Sequence, residues 1–390
     1  MLSCQRPLFD IPEDVTYLAS AATGPVPREV RLAGEAGLAT KSTPWVRDPT
    51  IGSRTAEAAR TAAARLIGAA PGDVAVVPAV SYAIATAGAN LALDPKGRVL
   101  LMESEFPSQS YEWARLARER NVAVEVVARP ADGDWTAALL AAIERPGAAP
   151  VTVAPLTPAH WTDGAMVDLD ALAPALRRQG AALVIDATQA VGVLPVDVAA
   201  LQPDFLVFPT YKWVLGSYSL AFLYAAPGRQ DGRPLEQHDQ ARDRAAAPAA
   251  GPVAVPGFQG GARRYDMGER DSYTALPMAI AAFALNARWG IDAIRARLRH
   301  LTDALAERAA AAGFQVLDRR FRAPHILGVR VPTALGGAAA ADRIAGALAA
   351  EKVFVSVRGG VLRIAPHVHV EDQEVDRFGA ALARAAKVAA

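Results

Sequence analysis

Between residues 72 and 224, short apolar runs alternate with longer segments of mixed character: "DVAVV", "RVLLM", "VAVEVVA", "VTVAPL", "ALVID", "FLVF" and "LAFLY". The stretches between them, such as "SYAIATAGANLAL" and "DLDALAPALRRQG", are long enough in most gaps for a crossover helix. Near-continuous hydrophobic strands joined in this way predict an α/β fold with a mostly parallel sheet covered on both faces. Ligands of such sheets bind outside the carboxyl ends of the strands, so the loops after these runs are where chemistry is expected.

From 226 to 257 the pattern dissolves into "APGRQDGRPLEQHDQARDRAAAPAAGPVAVPG", which reads as an irregular excursion from the core. A helical stretch at about 276–312 then leads into "FQVL", "HILGVRV", a helix near 339–350, "VFVSV", "VLRIAP" and a terminal helix. The predicted organisation is a large domain over 21–275 and a smaller C-terminal α/β domain over 276–390. The first 20 residues are expected to pack with the small domain.

Composition narrows the function classes. At 390 residues the chain exceeds the roughly 250–300 at which single cores stop growing, and with 52% hydrophobic and 21% charged residues it can bury a substantial interior. Lys and Arg number 41 against 40 Asp and Glu, and no run of like charge stands out, so nothing points to nucleic acid or an anionic membrane. No stretch approaches the ~20 uninterrupted apolar residues of a membrane span, and a cytoplasmic location is expected. The single cysteine, Cys4, allows neither an internal disulfide nor a cysteine-rich metal site.

Two charged residues sit where such a sheet presents functional groups. Asp186 ends the run "ALVID", and Lys212 lies just beyond the next run, "FLVF", in the otherwise uncharged stretch "VFPTYKWVLGSYSL". An ammonium group there needs a route to solvent or a chemical reason to stay. Taken alone, Asp186 also suits a helix N-cap, and the two together a buried ion pair.

The stretch "DATQAVGVLPVDVAALQPDFLVFPTYKWVLGSYSLAFLY" resembles the signature region of the class V aminotransferase family, fold-type I pyridoxal phosphate enzymes that include cysteine desulfurases, kynureninases and isopenicillin N epimerase. "YLASAATGPVPREV", with Thr23, resembles the family's N-terminal segment at the substrate site, and "VSVRGGVLRIAPHVHVEDQEVDRF" its carboxylate-binding stretch. The resemblance implies a large domain with a seven-stranded, mostly parallel sheet. It also implies pyridoxal 5′-phosphate as cofactor, an amino acid as substrate, and a homodimer with a shared active site.

Residue by residue, the resemblance makes Lys212 the amine that joins the cofactor aldehyde and then shuttles a proton at the substrate α-carbon. Asp186 becomes the partner of the ring nitrogen, and Gln189 lies near the phenolic oxygen. Ser81 and Tyr82, in "VVPAVSYAIATAG", match phosphate positions where a strand turns into a helix. Tyr211 matches the tyrosine that kynureninases place on the phosphate. Phe106, in "LMESEFPSQSYEW", matches the residue that covers the ring, and being a phenylalanine it cannot transfer a proton. His160 and Trp161, in "TPAHWTDG", either shape the substrate pocket or simply pack. Arg363 matches the arginine that takes the substrate α-carboxylate, a role suited to a planar two-pronged donor. Arg270, in "GARRYDMGER", matches a turn that relatives extend toward the phosphate of the other subunit.

The resemblance also bears on the reaction. Cysteine desulfurases need a cysteine on a second-half loop, and this chain has none there. Transamination or epimerisation at the α-carbon is expected, with a kynureninase-like or carbon–sulfur β-lyase reaction as the alternative. A nicotinamide-dependent oxidoreductase is disfavoured because no G-x-G-x-x-G follows an early strand.

Overall fold

The apolar runs become the strands of one seven-stranded sheet in the computed structural model, which describes residues 1–243, 245 and 253–389. After a short strand β1 (Thr16–Tyr17) come β2 (Val74–Val77), β3 (Arg98–Met102), β4 (Ala123–Val127), β5 (Val151–Leu156), β6 (Ala182–Asp186), β7 (Phe205–Pro209) and β8 (Ala221–Ala225). Across the sheet the order is β2-β8-β7-β6-β5-β3-β4. Neighbours from β7 to β4 run parallel, while β8 is antiparallel to both β7 and β2. The excursion expected at 226–257 follows β8; of it, residues 244 and 246–252 lie outside the described residues.

Why the runs are continuous rather than alternating is visible in the packing. Along β6 and β7, Val184 and Val207 join one apolar cluster, whereas Ile185, Leu206 and Phe208 join another on the opposite face. Both faces of these strands are therefore buried, as a sheet layered between helices requires. α3 (Val80–Asn90) and α4 (Pro107–Glu119) contribute Ile84, Trp113 and Leu116 to the first cluster. α5 (Trp135–Ile143) and α6 (Leu169–Arg178) contribute Trp135, Leu139 and Leu172 to the second. β4 departs from the expected two-sided cover: as the edge strand it leaves Val124 and Val126 exposed.

The helical stretch expected at 276–312 is two helices. α8 (Ala275–Trp289) ends at Gly290, whose φ of +76° suits a residue without Cβ, and α9 (Ile291–Ala311) starts directly after it. α8 lies against α1 (Arg28–Lys41) and α2 (Ile51–Leu66), whereas α9 lies against the C-terminal helix, Asp372–Ala389. Beyond α9, β9 (Gln315–Val316), β10 (Leu327–Arg330), β12 (Ser356–Arg358) and β13 (Val361–Ile364) form an antiparallel sheet in the order β12-β13-β10-β9. Between them, α10 (Ala341–Ala350) precedes β11 (Val353–Phe354), which pairs in parallel with β1. That pairing ties the first residues of the chain to its last third.

One buried charge cluster joins segments far apart in sequence. Arg60, on α2, holds Asp266 with Nη1 at 3.0 Å and Nη2 at 2.8 Å, and all of these groups are shielded from solvent. The same carboxylate accepts from the Val76 amide at 2.7 Å and pairs with Arg270 at 3.1 Å. Removing it would leave two buried guanidinium groups without their common partner. Asp266→Ala should therefore lower the unfolding free energy by about 3–5 kcal/mol in a urea titration followed by circular dichroism. A loss below about 1 kcal/mol would show that water replaces the carboxylate there.

Candidate active site

The carboxyl ends of β2, β3, β5, β6 and β7 converge on a cavity of about 280 Å³. The register of β6 on β7 places Asp186 beside Val207, so the chain leaving β7 passes Asp186 before it reaches Lys212. Both side chains line the cavity and both are nearly inaccessible to solvent.

Three contacts hold the loop that carries Lys212. The Gly24 amide donates to the Tyr211 carbonyl at 2.9 Å, His367 Nε2 lies 3.1 Å from the Trp213 carbonyl, and Asn286 Nδ2 donates to the Val214 carbonyl at 3.1 Å. A Cβ at position 24 would stand 2.1 Å from the Lys212 carbonyl oxygen, so only glycine lets the N-terminal segment approach this closely.

No carboxylate within ion-pair distance of Lys212 is found among the described residues. Its Nζ lies 5.7 Å from the centre of the Phe106 ring and 5.3 Å from that of Tyr211. Burial lowers the amine from its ordinary 10.5 to about 8; Asp186 opposes this, and Arg363 and Arg358 add to it. Burial also raises the Asp186 carboxyl, against the pull of Thr188, whose amide donates to Oδ1 at 2.9 Å, and of Lys212. The pair is thus poised for a usable neutral amine, unlike a pair held fully charged.

Residues 78–81, at the start of α3, also line the cavity. α5 and α6 begin on Asp134 and Asp168, whose side chains accept from backbone amides, but α3 begins on Ala79, which offers no such acceptor. Its first amides are therefore free for an anion, and the helix dipole favours one there. Phe106 and Trp161 form a further wall, their rings 5.2 Å apart and edge to face.

Of the residues singled out in the sequence, Ser81, Phe106, Trp161, Asp186, Gln189, Tyr211 and Lys212 line this cavity. The Gln189 amide is engaged by its surroundings: its oxygen accepts from Trp213 Nε1 at 2.7 Å and its nitrogen donates to the Ala21 carbonyl at 3.2 Å. Arg363, on β13, is not among the residues that line the cavity; it reaches the lining residue Trp161, its Nη1 donating to the Trp161 carbonyl at 2.6 Å and its Nε to Ser356 Oγ at 3.1 Å. It is buried without a carboxylate partner among the described residues, and burial and Arg358 lower it to about 9.

The structure does not bring the others to the cavity wall. His160 is fully buried, stacked on Trp135 at 5.6 Å and within 3.1 Å of Arg129, so it packs behind the site. Thr23 is exposed, and its carbonyl accepts from the Tyr17 hydroxyl at 2.7 Å. Tyr82 turns into the interior, with its hydroxyl unpartnered. Arg270 is held by Asp266 and by the Gln240 carbonyl, at 2.8 Å from the latter, in a different part of the fold.

Sequence reasoning missed Glu105, Ser108, Thr157, Thr188, Tyr218 and Ser219, which also line the cavity. Glu105 is the most informative. Its Oε1 accepts from the Phe106 amide at 2.7 Å, its Oε2 has no partner among the described residues, and burial pushes its carboxyl up to about 8. The rule that singled out Asp186, an acid just past a buried strand, applies equally to Glu105 after "RVLLM".

A family model for the class V aminotransferases matches residues 16–361. The chain belongs to the class V aminotransferase family. With the family come an enzymatic activity and pyridoxal 5′-phosphate as cofactor. An uncharacterized aminotransferase of Bacillus subtilis, YcbU, is 28% identical over 95% of this chain and 94% of its own. Isopenicillin N epimerase of Streptomyces clavuligerus is 28% identical over 83% of each chain. Among solved structures, the cysteine desulfurase of Thermococcus onnurineus superposes over 100% of this chain and 99% of its own, with a TM-score of 0.85 at 17% identity, a likeness of fold. Among the described residues no helix is long and apolar enough to cross a membrane.

The lowered affinity of Lys212 for protons makes it a burden on the cofactor-free fold. Below about pH 8 the amine is charged in both folded and unfolded chains and the native state bears the full penalty. Between about 8 and 10.5 only the unfolded chain keeps the proton, so stability rises with pH. Cofactor-free protein should gain about 1 kcal/mol between pH 8 and 9 in urea titrations, and Lys212→Met should remove that part of the rise, while the part that Arg363 adds above about pH 9 persists. The same rise in the variant would place its cause elsewhere.

Proposed function

We propose that the chain is a pyridoxal phosphate-dependent enzyme that moves a proton at the α-carbon of an amino acid, with transamination as the outcome. The observation that carries this reading is the buried Lys212, without an ion-pair partner among the described residues, lining one cavity together with Asp186 and the uncapped start of α3. The donor set fits the cofactor. A neutral amine suits its aldehyde, a buried carboxylate its ring nitrogen, and free helix amides with Ser81 its phosphate. When bound, the cofactor supplies an electron sink for the pair left at the α-carbon.

The chain's own residues do the rest. Lys212 accepts and returns the proton, which an amine near pKa 8 does well at neutral pH. Asp186 would keep a positive charge at the ring nitrogen of the bound cofactor, and Phe106 would cover its ring and exclude water without moving protons. Arg363, without a carboxylate partner among the described residues and bonded to the carbonyl of the lining residue Trp161, would orient the α-carboxylate.

Epimerisation is the second reading, and Glu105 favours it: a second buried group with a pKa of about 8 lines the same cavity and could serve the opposite face. Persulfide chemistry lacks its nucleophile, because the only cysteine is Cys4, 3.5 Å from the His369 carbonyl and held above its usual pKa by burial. A homodimer is part of this proposal; the exposed Leu38, Trp45 and Val46 offer an apolar surface suited to a second copy.

Borohydride treatment of the loaded enzyme should leave the cofactor's mass on the peptide that contains Lys212, and Lys212→Ala should reduce turnover of an amino acid about a hundredfold or more. A label on another lysine, or turnover unchanged in the variant, would contradict the assignment.

A further inference from the structure

A second cavity, of about 630 Å³, lies beside the first and shares Glu105 and Trp161 with it. Its charged wall is built from Arg129, Arg330 and Arg358 facing Asp163. Asp163 is committed to Arg129, Oδ2 to Nη1 at 2.6 Å, and stands 3.7 Å from Arg330. Arg358 has no carboxylate partner among the described residues; its Nη1 donates to the neighbouring Val357 carbonyl at 2.7 Å. Burial pushes the Glu105 carboxyl up to about 8, so the wall sets three guanidinium groups against little beyond the Asp163 carboxylate, which Arg129 already engages.

The surplus is placed with respect to the active site. On β12, Arg358 and Ser356 lie on one face of the small sheet, and Ser356 is both the register partner of Arg363 and the acceptor of its Nε proton. Arg358 therefore stands on the same face as Arg363, and its charge lowers the proton affinity of both Arg363 and Lys212. A substrate whose α-carbon stands within proton-transfer reach of Lys212 and whose α-carboxylate is bound by Arg363 would direct its side chain past Trp161 and Glu105, which the two cavities share, into the second cavity. An apolar side chain would strand the uncompensated guanidinium there, whereas a planar carboxylate would match it with two parallel hydrogen bonds.

We propose that the substrate is an amino acid with a second carboxylate at the end of its side chain, and that Arg358, assisted by Arg330, binds that group. The proposal rests on the function proposed above, since it needs Lys212 and Arg363 to anchor the other end of the substrate.

The test is equilibrium binding to the cofactor-loaded enzyme, read by calorimetry and by the change in the visible spectrum. Aspartate, glutamate and 2-aminoadipate are compared with the neutral asparagine, glutamine and norleucine. At least one acidic amino acid should bind tenfold or more tightly than its neutral counterpart. Arg358→Gln should remove that preference, weakening the acidic ligand at least about fivefold more than its neutral counterpart, whatever common shift the lost charge causes at Lys212 and Arg363. Arg330→Gln should weaken the acidic ligand less than Arg358→Gln does. Neutral ligands binding as well as acidic ones in the wild type, which needs no variant to fold, would overturn the inference. So would an equal loss for both classes in Arg358→Gln. Spectral responses without acidic preference would leave the proposed function standing and sink only this inference, whereas a chain that takes up no cofactor would sink both.

Discussion

Everything in this fold answers to one expensive group, the Lys212 amine, which is buried just beyond β7 without an ion-pair partner among the described residues. A charged amine there is disfavoured by the lost hydration and by the nearby Arg358 and Arg363, and Asp186 only partly offsets this. The balance leaves an amine that gives up its proton near neutral pH, which is the form that attacks an aldehyde. A fold optimised only for stability would replace it with a well-packed apolar residue.

Rigidity around the lysine comes from parts of the chain that have no chemistry of their own. Gly24 brings the N-terminal segment onto the Lys212 carbonyl, Asn286 reaches from α8, and His367 from beyond β13. The loop is thus fixed from three directions, by residues spread over some 340 positions of sequence. The Arg60–Asp266–Arg270 cluster does the same for α2 and β2, and so for the start of α3 that closes the cavity.

How much of this could be read beforehand depends on whether a residue acts through the chain's local pattern or through contacts. Asp186 and Lys212 were legible because strand ends are visible as the ends of apolar runs, and the parallel sheet makes those ends converge. The break at Gly290 was not, because apolar periodicity continues across it and only the left-handed φ interrupts it. The exposure of β4 depends on its place at the edge of the sheet, which the run "VAVEVVA" does not encode. His160 carries a residue type suited to catalysis, yet its stacking on Trp135 makes it part of the wall behind the site. Glu105 stood at a strand end as legible as that of Asp186 and was passed over, whereas Arg358 went unread because its separation from any carboxylate among the described residues exists only in three dimensions.

The central claim concerns where the cofactor is attached and how it lies, so a crystal structure of the protein grown with pyridoxal 5′-phosphate tests it most directly. The account predicts continuous density from Lys212 Nζ into the ring, with the ring nitrogen on Asp186 and the phosphate at the first turn of α3. Density joined to another residue, or a cofactor lying outside the cavity between Phe106 and Asp186, would contradict it.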